Sequence, residues 1–81
     1  MKVPRDLSGN EVVRGLRRVG YEETRQKGDH VYMTTAVNGE HHVSVPLHNP
    51  IKVGTLTTIL RQVAVHLQVD RDELLRRMQV A

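Results

Sequence analysis

His30-Val31-Tyr32-Met33-Thr34-Thr35-Ala36-Val37-Asn38-Gly39-Glu40-His41-His42-Val43-Ser44-Val45-Pro46 holds two alternating apolar and polar runs around one Asn-Gly turn, and its register decides the fold. If Asn38-Gly39 were a two-residue turn, Val37 would face Glu40 and Val45 would face Tyr32. The apolar residues of the two strands would then lie on opposite faces, which a half-buried sheet does not accept. A three-residue loop, Val37-Asn38-Gly39 with Gly39 in a left-handed bulge, pairs Ala36 with Glu40 instead. Met33 then faces Val43 and Val31 faces Val45, giving one apolar face. The other face collects His30, Tyr32, Thr34, His42 and Ser44.

Upstream, Leu7-Ser8-Gly9-Asn10-Glu11-Val12 carries a capping box, Ser8 with Glu11, and a staple of Leu7 on Val12. The spacing of Val12, Leu16 and Val19 predicts a helix running to about Val19, stopped by Gly20. Its other side carries Arg14, Arg17 and Arg18, a solvated face or a phosphate-contacting ridge. Tyr21 to Gln26 reads as a polar edge strand, and a turn at Gly28 delivers His30 onto the next strand. Downstream, Pro46 to Pro50 leaves the sheet. Leu56, Ile59, Leu60, Val63 and Leu67 repeat at the helical period, and a short last helix over 70–79 starts at Asp70 with Glu73 three residues on. Leu74, Leu75 and Met78 of that helix can close onto the core or face a partner. The expected architecture is α+β in the order α-β-β-β-α: a three-stranded antiparallel sheet, two helices on its apolar face and a terminal helix. Residues 1–81 are read as one domain with a tail over 1–6.

A chain of 81 residues with two Tyr and no Phe or Trp builds a thin aliphatic core and has little room for a deep pocket. The net charge of +3, with arginine dominating the basic residues, permits nucleic-acid binding without demanding it. The absence of cysteine excludes disulfides, thiolate metal sites and cysteine nucleophiles, and suits a cytoplasmic protein. No apolar signal region follows Met1-Lys2-Val3-Pro4, and no run reaches membrane-spanning length.

The chemistry-bearing candidates lie around His30. A histidine accepts and donates a proton near neutrality, as phosphodiester cleavage through a neighbouring 2′-hydroxyl requires. Lys27 and Arg25 can hold the phosphate, and Tyr32 can stack a base. His41 and His42, adjacent on a strand, must point to opposite faces, and His48 in the crossover can approach the same end as His30. A zinc site from His30, His42 and His48 matches none of the recognised ligand spacings. His66, on the second long helix, reads as a partly buried or surface residue. Spacing alone leaves His30 as ordinary strand surface or as a catalytic group.

Six words in order, Ser8-x-x-Glu11, Leu16 to Tyr21, Arg25-Gln26-Lys27-Gly28-Asp29-His30, Val43 to His48, Gly54-Thr55-Leu56 and Ile59-Leu60-Arg61-Gln62, resemble the HicA toxin family, also called YcfA-like. The resemblance covers roughly residues 8 to 78. It implies a fold similar to a double-stranded-RNA-binding domain and an endoribonuclease that cuts mRNA and blocks translation without a metal or other cofactor. It also implies a HicB-type antitoxin as partner. His30 matches the family's catalytic histidine, and Gly28 its turn; Lys27, Gly28, Arg25, Tyr32 and His48 are the expected RNA-binding set. A non-catalytic RNA-binding module or a protein-interaction subunit of the same fold are the alternatives. The chain departs from the family at Asp29, where serine is usual. A carboxylate there can orient His30 or raise its pKa, and it adds negative charge beside the phosphate. The segment Val63 to Val69 is also longer than the family's ending, by about one helical turn.

Overall fold

Ser8 opens the first helix as its spacing from Glu11 dictates. The Ser8 hydroxyl accepts the Glu11 amide at 3.1 Å, and the Glu11 carboxylate accepts the Ser8 amide at 3.0 Å. The computed structural model, which describes residues 3–80, places helix α1 at Gly9–Arg18. The helix ends one residue before Val19, which serves as its cap, and Gly20 follows at φ +102°. The amide of Tyr21 then bonds back to Leu16 O at 3.0 Å. That reversal sends the Tyr21 ring into the core, 1% exposed, so Tyr21 precedes the edge strand rather than opening it.

The sheet comprises β1 (Glu22–Lys27), β2 (His30–Thr35) and β3 (His41–Pro46), antiparallel throughout in the order β1-β2-β3. Met33 pairs with Val43 and Val31 with Val45, the register that puts every apolar residue of the hairpin on one face. The loop turns over residues 37–39, with Gly39 at φ +97°; Asn38 is also left-handed, at φ 56°. β1 is exposed along its whole length, an edge strand that the helices do not cover.

From β3 the chain crosses through a cis Asn49–Pro50 bond into α2 (Val53–Leu67), which presents Leu56, Ile59, Leu60 and Val63 to the sheet side. The last helix, α3 (Arg71–Met78), is capped by Asp70, whose carboxylate accepts the Glu73 amide at 2.7 Å. It packs on both α1 and α2 and buries Leu74, Leu75 and Met78 completely. Of the two roles open to these residues, they take the core. Gly15 of α1 is where α3 comes closest: a Cβ there would lie 2.9 Å from the methyl of Met78. Arg18 donates to the carbonyl of Met78 at 3.1 Å, placing a cation at the negative end of α3. Val3, within the stretch read as a tail, packs against the core, while Met1 and Lys2 lie outside the described residues. The result is an α+β fold of the double-stranded-RNA-binding-domain kind, with helices on one sheet face and the other face open. Among the described residues no helix is long and apolar enough to cross a membrane.

Candidate catalytic site

β1 and β2 meet in a two-residue turn whose first residue, Gly28, has φ +59°, the position where the hairpin turns that match strand twist require glycine. The turn sets Lys27 directly opposite His30, so the two side chains share a face. A register shift between Glu23 and Arg25 does the same for the next pair. Continued from Glu22–Thr34, the register would set Arg25 opposite Val31 on the apolar face; the one-residue bulge sets it opposite Tyr32 on the open face. The Arg25 guanidinium carbon lies 4.7 Å from the centre of the Tyr32 ring, a cation–π contact. The open face thus carries His30 with Lys27, then Tyr32 with Arg25 and Ser44.

Asp29 occupies the centre of this end of the sheet. One carboxylate oxygen lies 3.0 Å from His30 Nδ1 and the other 3.0 Å from His48 Nε2. All three side chains are about half exposed. The backbone makes the meeting possible: Leu47 donates its amide to Asp29 O at 2.6 Å, and Gly9, at the start of α1, donates to His48 O at 2.9 Å. A side chain at Gly9 would strike the Pro46 carbonyl, so glycine lets α1 press against the crossover that carries His48. The hydrogen bond from His48, aided by the neighbouring imidazoles, holds the Asp29 carboxyl below its ordinary range. An ionised carboxylate only accepts hydrogen bonds, so His48 donates to it through Nε2–H, while His30 Nδ1 faces the other oxygen as a close charge contact. This leaves His30 Nε2 and His48 Nδ1 as the free ring nitrogens.

His42 does not join them. It bonds the Thr34 hydroxyl at 2.8 Å, further along the sheet, and the described residues contain no group of His, Cys, Asp or Glu fit to hold a metal ion. The zinc reading of His30, His42 and His48 therefore has no geometric basis. In the arginine row of α1, Arg17 pairs with Glu23 at 3.1 Å and Arg18 donates to Met78 O at 3.1 Å, while Arg14 is exposed.

The remaining histidines form a separate structural cluster. The His41 and His66 rings stack with centroids 4.4 Å apart, and His66 Nε2 lies 2.7 Å from Val37 O and 3.0 Å from Gly39 O, tying α2 to the hairpin loop. Burial pushes the Tyr21 phenol up to about 12, so its hydroxyl stays protonated and donates to His41 Nδ1 at 2.7 Å. Burial first, then His66 and His42, holds His41 below its ordinary value. A histidine so depressed binds fewer protons folded than unfolded, so its neutral form stabilises the fold above pH about 6.5 and that contribution is lost as the pH falls below it. Thermal melts are expected to show wild-type stability declining as the pH falls below about 6.5, with a shallower decline in His41→Asn, whose side-chain oxygen can still accept from Tyr21. Equal slopes would contradict this account of the cluster.

Comparison with curated proteins and with solved structures gives no match. The family described as the HicA toxin of bacterial toxin-antitoxin matches residues 9–65, which hold α1, the whole sheet with the Asp29 turn, and most of α2. With more than two thirds of its length matched, the chain belongs to the HicA toxin family.

Proposed function

We propose that this HicA-family chain is an endoribonuclease of a toxin-antitoxin system that cuts mRNA in the cytoplasm, blocks translation, needs no metal or other cofactor, and is neutralised by a HicB-type antitoxin. Residues 1–81 act as a single domain in this reading. The observation that carries it is the pairing of His30 with Lys27, next to Tyr32 with Arg25, on the sheet face that no helix covers. A strand of RNA brings its own nucleophile, the 2′-hydroxyl, so the protein must supply a proton acceptor, positive charge and orientation. His30 Nε2 is the acceptor. The Asp29 carboxylate, 3.0 Å from Nδ1, favours the tautomer that carries its proton on Nδ1 and leaves Nε2 free. Lys27 and Arg25 stabilise the charge that builds on the phosphorane oxygens and offset the Asp29 carboxylate. Tyr32, with Arg25 lying over it, forms a stacking platform for a base.

The test is the purified chain incubated with single-stranded RNA in the presence of a chelator, alongside expression in growing cells with and without a co-expressed HicB-type antitoxin. Cleavage in chelator, growth arrest, and relief of both by the antitoxin are expected. RNA binding with neither cleavage nor arrest would replace this reading with that of a non-catalytic RNA-binding module.

A further inference from the structure

Cleavage by a 2′-hydroxyl releases a 5′-oxygen, which must gain a proton as the bond to phosphorus breaks. His30, having taken the 2′ proton, does not supply that one in the same step. We propose that His48 is the second proton-transfer group, and that Asp29 acts as a positioning residue that holds His30 and His48 as a pair, one on each carboxylate oxygen. The proposal rests on the endoribonuclease reading above.

The geometry restricts the choice. Among the described residues His48 is the second imidazole at this end of the sheet, 3.0 Å from the same carboxylate that His30 contacts. His42 lies along the strands at Thr34, and His41 and His66 are committed to the loop cluster. Tyr32 lies under Arg25, and phenols and ammonium groups hold their protons far more tightly than imidazolium does. The side-chain contact is also more than is needed to dock the crossover, since the Leu47 amide already bonds to Asp29 O and the Gly9 amide to His48 O. In the state poised for reaction, His30 is neutral with Nε2 free and His48 is protonated on both nitrogens. Together with the Asp29 anion the set carries no net charge.

The step then balances. His30 Nε2 takes the 2′ proton, the 2′-oxygen forms its bond to phosphorus, the bond from phosphorus to the 5′-oxygen breaks, and His48 Nδ1–H protonates that oxygen. The products are a 2′,3′-cyclic phosphate and a 5′-hydroxyl. His30 ends protonated and His48 neutral, and exchange with water restores both.

RNA carrying sulfur in place of the bridging 5′-oxygen at the scissile position tests the assignment, because a thiolate leaves without a proton. On ordinary RNA, His48→Ala and His48→Gln are expected to cut about 10²-fold or more slowly than wild type; Gln keeps an N–H donor for Asp29 but transfers no proton. On the sulfur-bridged RNA both should come within about tenfold of wild type, while His30→Ala stays slow on both substrates. Asp29→Ala should lower kcat more than about tenfold with KM within about twofold, the signature of lost alignment rather than lost binding. His48 variants that cut ordinary RNA at the wild-type rate, or that are equally slow on both substrates, overturn the assignment and leave the endoribonuclease reading intact. A wild-type chain that cuts neither substrate overturns that reading as well.

Discussion

Replacing His30 with Ala is expected to slow RNA cleavage by about 10²–10⁴-fold, the usual contribution of a positioned general acid or base, and to abolish growth arrest on expression. The fold should survive the change. His30 is exposed at the first position of β2, its side chain lies on the face opposite the core, and its backbone pairing with Pro46 does not depend on the imidazole. Among the described residues the side-chain partner lost is Asp29, in a surface contact, and exposed ion pairs contribute about 0–1 kcal/mol. Melting within a few degrees of wild type, together with RNA affinity within a few-fold, would therefore accompany the lost activity. A variant that cuts RNA and arrests growth as wild type does would remove His30 from the catalytic role.

The second large effect concerns a part of the chain that has no contact with the open face. Leu75→Ala is expected to destabilise the protein by about 2–5 kcal/mol, the range for Leu→Ala at buried sites that collapse incompletely. Leu75 is 0% exposed, in a helix wedged against α1 and α2, and its neighbours Leu74 and Met78 are equally buried. For a domain of this size each kcal/mol corresponds to about 4–8 °C, so the midpoint should fall by roughly 10 °C or more. Val65→Ala on the exposed side of α2, where the side chain is 74% accessible, should shift stability by no more than about 0.5 kcal/mol. If Leu75→Ala melted with the Val65 variant, α3 would be an appendage rather than core. The family match ends at residue 65, so the result also shows how much this chain depends on what lies beyond that boundary.

The hairpin register was legible because both strands alternate and only one pairing gives them a common apolar face. The Ser8–Glu11 box and the period of Leu56, Ile59, Leu60 and Val63 were legible for the same kind of reason: each pattern has one local geometry that uses it. β1 was harder to read. Its six residues are all polar and all exposed, so no burial pattern reveals the bulge between Glu23 and Arg25. Charge and nearness in sequence point to Lys27 and Arg25, whereas their shared face with His30 and Tyr32 depends on that bulge and on the tight turn after Lys27. The stacking of His41 on His66 joins residues on separate elements, and no local pattern encodes such a contact. Asp29 illustrates the limit best. In sequence it is a carboxylate placed against the phosphate site; in the structure it faces His30 on one oxygen and His48 on the other, which depends on a crossover nineteen residues away folding back over the turn.

In the proposed reaction the RNA's own 2′-hydroxyl is the nucleophile, and the imidazoles of His30 and His48 at the Asp29 turn move the protons. Identification of the ends left on a defined RNA cut by the purified chain in chelator tests it most directly. A 2′,3′-cyclic phosphate on one fragment and a 5′-hydroxyl on the other are expected; a 5′-phosphate with a 3′-hydroxyl would mean that water attacked instead, and would contradict attack by the 2′-hydroxyl.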